Sequence, residues 1–179
     1  MPLPIAHSLV GASVITVSNP QSPLKDDWRL ILFGAFLAIA PDFDFFFIWA
    51  LGKGHHRVFS HSIFTALMLT VLMLLVTRFE HIRSVLACGA AFLSHGILDY
   101  LGTKDGGGVG LFWPFSDERV KLGVVGIFEF PNGINLIEIA KACLIEIIIF
   151  APLLLSALLL RNYLAGTSRR DVAQSPQLQ

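Results

Sequence analysis

Long apolar runs alternate along the chain with short polar connections, and the runs have the length of membrane helices. A helix needs roughly 20 mostly apolar residues to cross a hydrocarbon core of about 30 Å, because it rises about 1.5 Å per residue. Residues 30–51 are apolar apart from Asp42 and Asp44, and residues 62–79 are apolar until Arg78. Residues 82–101 carry His95 and Asp99 near their end, while 134–160 form a longer run that includes Glu138, Lys141 and Glu146. A fifth stretch, 4–17, is too short to span upright and predicts a short, tilted or half-inserted helix. The expected fold is all-α: an integral membrane helical bundle of about four spanning helices plus a short N-terminal helix, in a single domain over 1–164.

The connections differ in character. Residues 18–28 hold two prolines with Lys25, Asp26 and Asp27, a polar turn. Residues 52–61 are short and basic, and 80–82 make a tight hairpin. The longest connection, 102–133, contains Gly106, Gly107, Gly108 and Gly110, then Trp113-Pro114, then Pro131-Asn132-Gly133. It predicts an ordered or lid-like loop at the membrane surface, since connections beyond about 12 to 15 residues are usually functional or disordered. The tail 165–179 is polar, carries Arg169 and Arg170, and predicts disorder.

Composition strengthens the membrane reading. The chain is 54% hydrophobic and 15% charged, with a mean hydropathy of +0.68, whereas soluble domains carry about 25% charged residues. Equal numbers of basic and acidic residues, 13 each, disfavour a nucleic-acid binder, and the apolar content disfavours a disordered chain or a coiled coil. Cys88 and Cys143 both lie in apolar runs, where a thiol acts as a small core residue. The first positive charge is Lys25, so residues 1–16 lack the charged start of a secretory signal and the hydrophobicity belongs to the mature protein. With alternating helices, Lys25, Arg29, Arg78, Arg83, Arg161, Arg169 and Arg170 fall on one side, and Lys53, Arg57, Lys104, Arg119 and Lys121 on the other. The positive-inside rule puts the larger set in the cytoplasm of an inner or plasma membrane, and turns the 52–61 and 102–133 connections outward.

The ionisable residues inside apolar segments are not scattered. Each costs a few kcal/mol on insertion scales and is by default a site hypothesis. Asp42 and Asp44 lie toward the outward end of their run, His55, His56, Ser60 and His61 occupy the outward connection, and His95 and Asp99 lie in the last turns of a run that also ends outward. His7, near the start of the short helix, belongs at the same end. The sixth histidine, His81, falls at the opposite end.

The spacings suit a metal. His95 and Asp99 are four apart and project from one helical face, like the paired ligands of metalloprotease helices. Asp42 and Asp44 are two apart, so both can bind one site only if the backbone around Pro41 is irregular, or else they serve different metals. His56 and His61 flank a turn, Arg57-Val58-Phe59-Ser60. Imidazoles and carboxylates together favour zinc or manganese. The bland alternative is that polar membrane residues bond neighbouring helices, and for His7 alone that is the default. For the cluster it falls short, because Asp42, Asp44 and Asp99 would repel one another in a low dielectric with only Lys53 and Arg57 near them. His55 reads as an outer or solvated group, Glu138 and Lys141 as a helix-face pair, and Glu146 as polar glue, a protonated carboxyl or part of a pathway.

Taken together, His7, Pro41-Asp42-Phe43-Asp44, His56-Arg57 followed by Ser60-His61-Ser62, Ser94-His95-Gly96-Ile97-Leu98-Asp99, and Trp113-Pro114-Phe115 after a glycine-rich stretch resemble the YdjM-like family of membrane-bound, metal-dependent hydrolases. The resemblance covers residues 1–131. It implies a helical membrane protein with a metal site and a hydrolytic activity. Family members usually carry threonine where Ser60 stands, a departure that keeps the hydroxyl.

Metal-assisted hydrolysis at the membrane surface is the expectation. The ligands would come from Asp42, Asp44, His56, His61, His95 and Asp99, with His7, holding one or two divalent ions that acidify a water and polarise the scissile group. Asp44 would orient that water or act as general base, and Arg57 would bind an anionic oxygen. Asp105 and Glu129 are reserve ligands. A lipid or phosphoester would reach the site from the bilayer, with Trp113 at the interface; no nucleic-acid partner is expected. Two alternatives stand: a metal or proton transporter continuing through Glu138, Lys141 and Glu146, and a non-catalytic membrane protein with a structural metal.

Overall fold

A computed structural model describes residues 2–52, 56–103, 107–124 and 135–174, with side chains as far as residue 167. Among the described residues the elements follow in the order α1 (Pro4–Ser18), α2 (Leu24–Leu37), a 3-10 turn (Ala40–Phe43), α3 (Asp44–Leu51), α4 (Ile63–Val76), α5 (Ile82–Gly102) and α6 (Leu136–Gln174). The only extended pairing there is an isolated bridge from Val109 to Val120. The protein is all-helical.

Among the described residues two to three candidate spans are found, so the expected four are not confirmed. By length and composition, α5 and α6 can each cross a membrane alone. The run 30–51 is broken: Leu24–Leu37 and Ala40–Leu51 are bent by 49° and amount to one further span at most. Pro41 accounts for the break, since it has no N–H to donate and its ring clashes with the preceding turn. The run 62–79 gives a helix of only 14 residues, about 21 Å long and short of the hydrocarbon thickness. Ser62 caps its start by accepting the Thr65 N–H at 3.1 Å. At its other end Arg78 (φ 50°) and Phe79 (φ 62°) take left-handed conformations that turn the chain into α5. α6 runs on to Gln174 through residues 165–174, which hold one glycine and no proline to stop it, and the remaining tail residues 175–179 lie outside the described residues.

The short helix α1 is the centre of the bundle, packed against α2, α5 and α6. It approaches α2 closely because both contact points are glycine. A Cβ on Gly11 would stand 2.5 Å from the Gly34 carbonyl oxygen, and one on Gly34 would stand 2.2 Å from Ile15 Cγ1. Small residues at the crossing are how helices gain contact area in lipid, where apolar burial gives no driving force. Ile15, Leu37, Ala66, Ala87, Cys88 and Phe92 form the mid-bundle core, and both cysteines are free thiols. Outside it, α3, α4 and α6 expose apolar side chains such as Trp49, Val76 and Ile148, a surface suited to lipid.

The described part of the long connection, 107–124, is ordered by backbone bonds. The Gly110 N–H donates to the Arg57 carbonyl at 2.8 Å, the Ile63 N–H to the Leu111 carbonyl at 3.0 Å, and the Leu122 N–H to the Tyr100 carbonyl at 2.8 Å. Arg119 donates to the His56 carbonyl at 2.8 Å. The segment thus covers residues 56–63 and fixes their path.

Candidate metal centre

Five segments meet at one end of the bundle. α1 supplies His7 from its first turns, the 3-10 turn supplies Asp42, α3 begins with Asp44, the 56–62 segment supplies His56, Arg57, Ser60 and His61, and the last turns of α5 supply His95 and Asp99. The bend at Pro41 is what lets Asp42 and Asp44 face the same cluster: Asp42 Oδ1 lies 3.4 Å from His95 Nε2, and Asp44 Oδ1 lies 2.5 Å from His56 Nδ1. Gly96 is equally required. A Cβ there would stand 2.3 Å from the His61 carbonyl oxygen, so only glycine next to His95 lets the two histidines meet.

Asp42, His61, His95 and Asp99 each offer one ligand atom, all within 4.8 Å of one another. The hydrogen bonds assign the protons. His95 Nδ1 lies 2.7 Å from the Ala38 carbonyl oxygen, which only accepts, so the ring proton sits on Nδ1 and the Nε2 lone pair points inward. Ser60 donates to Asp44 Oδ2 at 2.6 Å, so its oxygen accepts from His61 Nδ1 at 2.8 Å. That leaves the Nε2 lone pair of a neutral His61 inward too. The two Nε2 atoms face each other at 3.0 Å, a pairing that holds with a proton on one of them or a metal ion bound by both.

The residues fit a divalent cation. Asp42 Oδ1, both oxygens of Asp99 and both nitrogens of His7 are buried without a hydrogen-bond partner, a costly arrangement for a merely structural network. His61 Nε2 is 3.5 Å from Asp42 Oδ1 and 3.5 Å from Asp99 Oδ2, and His95 Nε2 is 3.8 Å from Asp99 Oδ2. Tetrahedral donors about 2.0–2.1 Å from zinc would be roughly 3.3 Å apart, close to these separations. Two carboxylates and two neutral imidazoles also carry the two negative charges that such an ion cancels. Burial alone would depress the His61 imidazole, but the facing Asp42 and Asp99 carboxylates outweigh it and hold its pKa above the ordinary histidine value, so without a metal ion the same two carboxylates draw a proton onto His61 instead.

The other expected site residues surround these four. His7 stacks on His95 with ring centroids 3.9 Å apart, and its Nε2 is 3.5 Å from Asp99 Oδ1. His56 Nε2 is 3.9 Å from Asp42 Oδ1, and its side chain is 36% exposed. Asp44 is fully engaged: besides His56 and Ser60 it accepts the Arg57 N–H at 3.2 Å. Arg57, in a left-handed conformation (φ 64°), sets its Nε 3.7 Å from Asp99 Oδ2. His81 precedes α5 at its far end, 14 residues and so about 21 Å from His95. His55, Lys53, Asp105 and Glu129 lie outside the described residues.

One contributor had no sequence signal, and another, Glu146, stood out in its apolar run without revealing its partner. The Ala38 carbonyl fixes the His95 tautomer, and a backbone acceptor leaves no mark on residue type. Glu146, 1% exposed in the middle of α6, accepts the Leu3 N–H and, at 3.0 Å, the Ala6 N–H. These are orphan donors at the start of α1, which has no side-chain cap of its own. Glu146 therefore anchors the helix turn that carries His7.

Fold and site together define a class: a helical integral membrane protein with a buried His/Asp cluster that could hold a metal. The chain belongs to the YdjM inner membrane protein family, whose model matches residues 1–169. It is similar to the inner membrane protein YbcI of Escherichia coli (strain K12), 35% identical over 99 residues that cover 51% of this chain and 57% of that relative. The match thus spans little more than half of the relative's length. No solved structure matches the chain.

Proposed function

We propose that the protein is a membrane-embedded, metal-dependent hydrolase acting on a phosphoester or other lipid-like substrate, with zinc as the first-choice metal, manganese as the second, and the site facing outward. The observation that carries the reading is the convergence of one ligand atom each from Asp42, His61, His95 and Asp99 within 4.8 Å, with the Asp42 and Asp99 oxygens buried and lacking a hydrogen-bond partner. When bound, a divalent ion supplies an acidified water and polarises the scissile group.

The chain's own residues divide the remaining work. His56 is partly exposed, and Asp44 fixes its Nδ1, an Asp–His arrangement that presents Nε2 as a proton acceptor. The base role expected of Asp44 passes to His56, with Asp44 orienting it. Arg57 holds a guanidinium beside Asp99 for an anionic substrate oxygen. The transporter alternative finds less support. Glu146 is committed to the start of α1, and Glu138 and Lys141 form an exposed pair at 3.0 Å, so among the described residues neither extends the cluster toward the opposite end.

Zinc-reconstituted protein in detergent should cleave an alkyl nitrophenyl phosphoester, and chelation should abolish the turnover. His56→Ala should lose about 10²- to 10⁴-fold in rate, the usual contribution of a general base, while keeping its metal. Full metal loading without turnover on phosphoesters or carboxylic esters would contradict the hydrolase reading and favour a structural metal.

A further inference from the structure

A cavity of about 370 Å³ lies between the start of α1 and the bend of the broken span. Its walls include Leu3, Pro4, Ile39, Phe43 and Phe45, and among the described residues its only ionisable lining residues are Asp42 and His56. The bend at Pro41 creates this shape, turning Asp42 toward the histidines while Phe43 and Phe45 stay 39% and 50% exposed on the outer side. Glu146 makes the opposite wall firm by holding the Leu3 and Ala6 N–H groups.

We propose that this cavity seats one acyl chain of a bilayer lipid, placing the lipid's ester-bearing head at Asp42 and His56. Among the described residues a small polar substrate would find no hydrogen-bonding side chain along these walls before the site, whereas an acyl chain leaves nothing unpartnered there. The cavity also borders α3, which exposes Phe46, Phe47 and Trp49, an apolar surface along which a bilayer lipid would reach it. A second apolar cavity between α1 and α6, lined by Val10, Val14, Leu153 and Leu160 among others, includes no member of the His/Asp cluster and serves as an internal control. The inference deepens the hydrolase reading and rests on it only for what happens to the head group.

The test uses the full-length protein in nanodiscs doped with a phosphatidylcholine that carries a diazirine at the end of one acyl chain. Photolabelling should concentrate on Leu3, Ile39 and Phe43, several-fold above Leu72 on the lipid-facing surface of α4. Ile39→Trp, which fills the cavity, should remove the excess, and Leu72→Trp should not. Phe45→Ala alters the exposed wall without disturbing the packed side and should shift the labelling pattern within the cavity. Even labelling of cavity and α4 surface, or an excess that survives Ile39→Trp, would overturn the proposal. A parallel series of alkyl nitrophenyl phosphoesters should show KM falling with chain length in the wild type and flat in Ile39→Trp. Cavity labelling without turnover would uphold the seat and sink the hydrolase reading, whereas turnover indifferent to chain length would do the reverse.

Discussion

The two ends of the bundle both bury charge, and they treat it in opposite ways. At one end Arg161, 3% exposed, donates to the Thr16 carbonyl at 3.3 Å, the Ser22 carbonyl at 2.5 Å and Asp27 Oδ2 at 2.7 Å, while Ser22 donates to Asp27 Oδ1 at 3.0 Å. Both Asp27 oxygens and the guanidinium are satisfied, and the group ties α6 to the turn between α1 and α2. At the other end both Asp99 oxygens, Asp42 Oδ1 and both His7 nitrogens have no hydrogen-bond partner. A charge bonded on every side does structural work. A converging set of unpartnered lone pairs is suited to binding a cation.

The contrast can be broken by mutation, and the largest effect should fall on metal affinity. Asp99→Ala should weaken zinc binding by more than about 100-fold, the upper range seen even for outer partners of a metal site, as read by competition with a chromogenic chelator. At the far end the pattern inverts: Asp27→Ala should cost about 3–5 kcal/mol by leaving Arg161 buried without its counter-charge, read by denaturation in detergent, with metal affinity unchanged. Gly96→Ala sharpens the site further. Its new Cβ must push the His61 carbonyl away, so zinc affinity should drop by about 10- to 100-fold with helix content retained. The smallest effect belongs to Glu146→Ala, which uncaps α1 at a cost of about 1–2 kcal/mol and should be largely rescued by Glu146→Gln.

Much of this was legible in the sequence because the relevant signals are local. Pro41 between Ala40 and Asp42 requires a broken helix, and a broken helix is what brings two carboxylates two residues apart onto one cluster. Counting helix crossings was enough to gather His7, Asp42, His56, His61, His95 and Asp99 at one end and to leave His81 at the other. The number of spans was not legible from hydropathy, which measures apolar length and misses the left-handed turn at Arg78 and Phe79 and the kink at Pro41. Nor could residue type alone pair Glu146 with Leu3, 143 positions away, or Arg161 with Asp27, 134 positions away. Those pairings depend on how helices pack, and in α1 that packing rests on Gly11 meeting Gly34.

The central claim is that the unpartnered donors form a metal centre, and elemental analysis of detergent-purified protein never exposed to chelator addresses it most directly. Wild type and Arg161→Met should each carry about one divalent ion per chain, as a single four-donor site requires, and His95→Ala should carry none. Metal-free wild type, or metal retained in His95→Ala, would contradict the account and leave the His/Asp cluster as a proton-filled network.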